Sequence, residues 1–259
     1  MGNKAKTIGW GLLPFIVLLL VWFCVTEFGW VSKWLAATPY DTGRAFIRLI
    51  GNGQLLKLIG ISALNVIPAY LAAFALALVA GIGIGLSGRA QKIAGPILAA
   101  FYAMPSLTWL PFIVLTLGFT RNAIWCVVAI SVFLRVIHNV IGGVRNVNAY
   151  WIMSAQNLGL SRLQIIRSVV IPGALPQIIV GLRQGFHSAW RSLIAAEMLI
   201  STFGGLGKYI WSAQWTMDYA KVMSGIITIA IIGVTVEQLV FRRLERATLV
   251  KWGMVREGA

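Results

Sequence analysis

Four ionisable side chains stand where such groups are costly to place. Arg183, His187 and Arg191 recur at intervals of four within an apolar run from about Leu175 to Ile200, and Glu197 follows near its end. A spacing of four puts the first three on one slowly drifting helical face, and the fourteen residues from Arg183 to Glu197 return the carboxylate close to that stripe. An arginine at a bilayer centre costs about 2.5–3.5 kcal/mol on insertion scales, so these charges either pair or face a functional cavity. Arg183, two turns from Pro176, can snorkel to the interface, whereas His187 and Arg191 fall near mid-span. Three uses are open to the set: a positive potential that attracts an anion, a relay of protons along the stripe, or structural pairing. In the last case Arg191 neutralises Glu197 or a helix C-terminus, or the charges bond across a subunit interface.

Other chemistries are poorly supplied. Gly207-Lys208 is followed by Tyr209, and no Gly-x4-Gly-Lys-Ser/Thr occurs in the chain, so it cannot cradle a nucleotide through a P-loop. Two histidines and seven acidic residues are too scattered to assemble a membrane enzyme's site near one interface, or a metal centre. Cys24 and Cys126 sit inside apolar runs and read as buried thiols.

The elements that must position these charges are membrane spans. Of 259 residues, 59% are apolar and 11% charged, with a mean hydropathy of +0.83; a soluble domain carries about 25% charged residues. Crossing about 30 Å of hydrocarbon takes roughly 20 apolar residues. Charge-free intervals of 20, 31 and 28 residues lie between Lys6 and Glu27, Lys57 and Arg89, and Lys92 and Arg121. Further spans run from about Ala123 to Val140, Leu175 to Ile200 and Val222 to Phe241, giving an all-α integral membrane protein of about six spans with both termini on one side. The first apolar stretch is longer than a signal-peptide h-region of about 7–15 residues and reads as a retained helix. Residues 27–57, which mix six charged residues with Gly51 and Gly53, read as an extramembrane connection.

The net charge of +15 follows the same layout. Placing both termini in the cytoplasm puts thirteen Lys and Arg on that side, Arg135 among them, against seven on the other. The positive-inside rule and contact with anionic lipid account for the basic balance, and nucleic-acid binding is not needed to explain it.

About 35 residues, 141–175, separate the fourth and fifth spans, which is long for a connection in a bundle. Asn148 is placed to cap a short helix from Ala149 to Leu158, Gly159 to end it in a left-handed turn, and Ser161 with Gln164 to open a second helix by a capping box. Pro172 is expected to stop that second helix. Tyr150, Trp151, Ile152, Ala155 and Leu158 give the first short helix an apolar face, to be covered by lipid, by the bundle or by a partner. Gly204, Gly205 and Gly207 suggest a tight turn after span five, with Trp211 and Trp215 as interface anchors beyond it, and Pro105 and Pro111 break the backbone ladder of span three.

Met153-Ser154-Ala155, Gly159 and Val169-Val170-Ile171-Pro172 resemble the cytoplasmic EAA loop of ABC importer permeases. Gly173-Ala174-Leu175-Pro176, Gly181-Leu182-Arg183, Ala195-Ala196-Glu197 and Gly205-Leu206-Gly207 narrow the resemblance to the nitrate/sulfonate/taurine branch, as do Gly81 to Leu86, Pro105 and Trp109-Leu110-Pro111. The resemblance runs from about Leu55 to Trp252. It implies a type I importer permease fold in a bacterial inner membrane: an N-terminal helix and connection (1–54), a permease core (55–252) whose coupling loop is 141–175, and a cytoplasmic tail (253–259). It further implies a second permease copy, most simply a homodimer, with two ATPase subunits that hold ATP and Mg, and an extracytoplasmic substrate-binding protein. This chain would bind no cofactor and catalyse no bond breaking.

The resemblance makes the first short helix a coupling helix, with Trp151, Met153, Ser154, Ala155, Gly159 and Pro172 linking the ATPase to the spans. The family's Glu falls on Met153 and its first Ala on Ser154, so only Ala155 and Gly159 carry over unchanged. Arg183, His187, Arg191 and Glu197 are then candidates for the translocation path of a small anion. The alternative is an ion-coupled secondary transporter using the same four charges as a relay.

Overall fold

A computed structural model describes residues 2–28, 37–200 and 202–250. All regular structure among the described residues is helical. The order is α1 (Gly2–Glu27), α2 (Pro39–Gly51), α3 (Gln54–Gly85), α4 (Gly88–Ala103), a 3-10 turn (Ser106–Trp109), α5 (Leu110–Leu117), α6 (Arg121–Arg145), α7 (Ala149–Asn157), α8 (Arg162–Ile165), α9 (Ile171–Leu199), α10 (Leu206–Trp215), α11 (Tyr219–Val236) and α12 (Arg242–Glu245). Four helices are long and apolar enough to cross a bilayer: Gln54–Gly85, Arg121–Arg145, Arg162–Leu199 and Tyr219–Thr248. Helix α4 and the segment Ser106–Leu117 pass the same test as a pair bent by 89°, and the 26-residue α1 precedes them. Four spans, or five with the bent pair counted as one, thus stand against the six expected from the charge-free intervals, and the apolar part of α1, Ile16–Glu27, is shorter than the others.

The core is a three-helix seam in which α6 lies between α3 and α9. Lipid offers no hydrophobic force between spans, so close packing of small residues holds them together. A Cβ on Gly81 or Gly85 would stand 2.8 Å from Val140 or Val144 of α6, and one on Gly143 of α6 would stand 2.7 Å from Gln177 of α9. Gly181 and Gly185 repeat the arrangement against Asn139 and Val136. Val127, Val128, Val132, Val136 and Val140 are consequently sealed inside the seam. On the outside, Leu64, Leu71, Leu76 and Val79 of α3 remain exposed, as a lipid-facing surface should.

Two expectations fail here. Pro172 does not end the second helix, because α8, a π segment (Ile166–Val170) and α9 form one 38-residue helix. In the π segment the N–H of Ile171 reaches the carbonyl of Ile166, and the widened turn makes room for the proline ring where a regular turn would clash with it. Span five therefore begins at Arg162 rather than near Leu175. Span three is broken where Pro105 predicts, into two helices around extended backbone at Met104 and Pro105, whereas Pro111 sits in the first turn of α5. Cys24 and Cys126 are free, and half-buried rather than buried.

Candidate functional site

The loop between α6 and α9 folds as its capping residues dictate. Asn148 Oδ1 accepts the N–H of Tyr150 at 2.9 Å, Gly159 takes a φ of +78°, and Leu160 N–H closes back on the Ala155 carbonyl at 3.1 Å. Gln164 Oε1 accepts the Ser161 N–H at 2.8 Å in the expected capping box. The apolar face of α7 divides in two. Ala155 is buried and Ile152 packs on the core, which seats the helix on the bundle. Tyr150, Trp151, Met153 and Leu158 point outward, 56–79% exposed, and Ser154 and Gly159 are exposed beside them. Pro172 lies further along, within the long Arg162–Leu199 helix, and is half-buried.

The charges of α9 do not form one cluster. Arg183 pairs with Glu237, and His187 Nε2 lies 3.1 Å from the other oxygen of the same carboxylate. Glu237 opens a π segment (Glu237–Phe241) in the last span, and sequence reading had given it no role. Glu197 is separate and fully buried. Its oxygens accept from Asn65 Nδ2 at 2.9 Å, the Gly207 N–H at 3.0 Å and the Ser62 hydroxyl at 3.0 Å, while Ser62 Oγ accepts the Leu206 N–H at 3.0 Å. Neither arginine of α9 pairs with it. The stripe is real along α9, but its two ends meet different neighbours: α3 and the start of α10 at Glu197, the last span at Arg183.

The same node corrects the reading of the glycines. Gly204 and Gly205 turn the chain with φ of +81° and +111°. Gly207 instead lies in the first turn of α10, where a Cβ would collide with the Ile194 carbonyl and stand 2.8 Å from the Glu197 Cβ. The buried carboxylate thus receives the amide end of α10, and a side chain at Gly207 would push it away.

Arg191 faces elsewhere, into a cavity of about 210 Å³ at the break between α4 and α5. Tyr102, Met104, Pro105, Ser106 and Leu107 line one wall, Ser131, Leu134 and Arg135 of α6 another, and Ser188, Arg191 and Ser192 of α9 the third. Ser106 and Ser192 hydroxyls bond at 2.9 Å. Arg135 donates to the Tyr102 hydroxyl, and its guanidinium carbon lies 4.6 Å from that ring's centroid. Arg135 is ten residues from the end of α6, well inside the helix rather than near the cytoplasmic end of span four, the side with which the charge count groups it. Irregular backbone is tolerated at membrane depth where it lines a cavity, as Met104 and Pro105 do here. A second cavity of about 410 Å³ shares Tyr102 and Leu134 with the first and extends past His138 to Arg145 at the helix end.

A third cavity, of about 650 Å³, lies between α2 and the α10–α11 turn, lined by Asp41, Arg44, Arg48, Asp218 and Lys221 among others. Lys221 Nζ meets Asp218 at 2.8 Å. Burial alone would raise the Asp218 carboxyl, but hydrogen bonds and charge from Lys221, with the charge of Arg48, hold it below its ordinary range. Trp211 and Trp215 stack edge to face nearby, with Trp215 exposed. No group of three or more metal-ligating side chains occurs among the described residues.

Comparison with known proteins bears on the whole arrangement. A family model described as the binding-protein-dependent transport system inner membrane component matches residues 73–248. The chain is 32% identical to the taurine transport system permease protein TauC of Escherichia coli (strain K12), over 96% of this chain and 91% of that protein. It is also 32% identical to the putative aliphatic sulfonates transport permease protein SsuC of Bacillus subtilis (strain 168), over 98% and 91%. A chain of the MetNI methionine ABC transporter, solved in inward-facing conformations, shares the fold at a TM-score of 0.58 and 18% identity, covering 75% of this chain and 98% of that one.

Proposed function

The chain belongs to the binding-protein-dependent transport system inner membrane component family, and from that premise we propose that it is the spanning half of an ATP-driven importer for a small organic anion. It is a permease subunit of an ABC importer, a multi-pass helical protein of the inner membrane. In the proposed assembly a second copy of the permease completes the path, two ATPase subunits hold ATP and Mg, and an extracytoplasmic binding protein delivers the solute. Both termini face the cytoplasm. The solute class follows the names of the relatives, which are permeases for taurine and for aliphatic sulfonates.

The observation that carries this reading is α7. A nine-residue helix capped at both ends is seated on the bundle by Ile152 and Ala155, yet leaves Tyr150, Trp151, Met153 and Leu158 uncovered. Aromatic anchors on a rigid helix suit a partner's pocket. The chain carries no P-loop of its own, so its energy comes from such a partner. Closure of the ATPase dimer displaces α7, and Gly159, Ser161 and the long Arg162–Leu199 helix pass the displacement to the spans. Arg191 faces the translocation path, and Arg183 and His187 flank it with their charge balanced by Glu237. Glu197 holds the path's scaffold.

Tagged permease purified from native membranes in mild detergent, with co-purifying subunits identified by mass spectrometry, tests the proposal. A P-loop ATPase accompanies the parent and is lost from the double variant Trp151→Glu, Leu158→Glu, whose exposed positions leave folding intact. A parent that purifies alone and still transports overturns it and makes an ion gradient the driving force.

A further inference from the structure

The cavity at the α4–α5 break holds two guanidinium groups and no carboxylate. We propose that Arg135 and Arg191, with Tyr102, Ser106 and Ser192, form a binding site for one small sulfonate-class oxyanion, so that the permease itself grips the solute midway. The inference rests on the import reading above for its solute class, and on the cavity for everything else.

Charge inside a membrane demands an opposite charge. Among the described residues, the ion pairs are Arg183 and His187 with Glu237 and Lys221 with Asp218, so neither Arg135 nor Arg191 has a carboxylate partner. Among the described residues, a second copy of the chain offers no better supply. Of the six acidic residues in the described segments, Glu27, Asp41 and Asp218 lie at helix ends, Glu245 ends α12 among Arg242, Arg243 and Arg246, Glu197 is sealed, and Glu237 is engaged. The missing negative charge is therefore brought by the solute.

The donors suit an oxyanion. A guanidinium carries five N–H groups in a planar fork, and Arg135 is held in place by the ring and hydroxyl of Tyr102, leaving the rest of its fork free. Ser106 and Ser192, bonded to each other at 2.9 Å, bridge the broken span to α9 and can turn a hydroxyl toward an added oxygen. At about 210 Å³ the cavity is smaller than the 300–1,000 Å³ that house drug-sized ligands. Its apolar wall of Met104, Leu107 and Leu134 takes a short aliphatic chain. The site thus has the size for a sulfonate of two or three carbons.

Equilibrium binding of ethanesulfonate to the purified full-length permease in lipid nanodiscs tests the site, with the neutral isostere ethanesulfonamide as comparator. Saturable binding of the sulfonate, at least about tenfold tighter than the sulfonamide, is expected, and the variants Arg135→Gln and Arg191→Gln each weaken it about tenfold or more, the scale of one charge-assisted contact. Arg191→Lys falls between, keeping charge without the fork, and Lys57→Gln leaves binding unchanged. Equal binding of sulfonate and sulfonamide, or undiminished sulfonate binding in both glutamine variants, overturns the proposal. Should either variant fail to fold, the sulfonate-to-sulfonamide ratio of the parent decides alone. The two readings separate cleanly: sulfonate binding without a co-purifying ATPase sinks the import reading and keeps the site, and an ATPase without selective sulfonate binding does the reverse.

Discussion

Glu197 and Arg191 lie less than two turns apart on the same helix, yet one is enclosed and the other is not. Glu197 is an acceptor surrounded by donors: an amide from α3, a hydroxyl from α3 and a backbone N–H from α10 meet its two oxygens. Arg191 is a donor exposed at a cavity whose described residues supply hydroxyls and a second arginine but no acid. Both are ionisable groups in an apolar span, and residue type alone would file them together. What separates them is satisfaction: a polar group whose partners are all internal holds the structure, whereas one whose partner is missing waits for something that arrives.

That contrast can be broken in order of effect. Glu197→Ala should be the most damaging change, because three donors lose their acceptor at about 1–3 kcal/mol each. The expected outcome is loss of folded permease from the membrane, or a steep fall in thermal midpoint in detergent. Arg191→Gln should leave that midpoint at or above the parent's while transport of a sulfonate falls at least about tenfold, one charge-assisted contact's worth; a collapse of folding instead would dissolve the distinction. Gly207→Ala, which drives a methyl into Ile194 and Glu197, should cost about 1–3 kcal/mol in the same denaturation assay as an overpacked core does.

Smaller effects sharpen the picture. Glu237→Gln removes the shared partner of Arg183 and His187, both nearly half exposed, and should lower stability by about 1 kcal/mol or less. Asp218→Asn should change least. With its carboxyl held below the ordinary value, the parent turn has its full stabilisation above that ordinary value and loses it as pH falls through the depressed one. Acid titration of α10–α11 protection by hydrogen exchange should show this loss in the parent and not in Asp218→Asn.

Much of the architecture was legible because it depends on local chemistry. Charge-free runs mark spans, and Asn148, Gly159, Ser161 and Gln164 dictate a helix start, stop and restart within one short loop. What was hidden depends on neighbours. Fourfold spacing identified the stripe carrying Arg183 and Arg191 but could not say that Glu237, fifty-four residues later, would face one and a broken helix the other. Arg135 could have been found by applying to span four the rule used for span five, that a charge inside an apolar run needs a reason; placing it near the cytoplasmic end of the span concealed it. Pro172 misled because a proline ends a regular helix, and nothing in the local pattern announces a π turn that accommodates it.

The glycine seam has a mechanical corollary. With α3, α6 and α9 interlocked at Gly81, Gly85, Gly143, Gly181 and Gly185, the three helices leave no room for an added Cβ between them, the close fit expected of a unit that moves as a single beam. The Arg162–Leu199 helix alone spans 38 residues, about 57 Å at 1.5 Å per residue. A lever of that length pivoting by about 5° at its cytoplasmic end sweeps its far end through about 5 Å, one helical pitch. In the transport cycle proposed above, small strokes on α7 would be geared up into gate-sized motion of that beam.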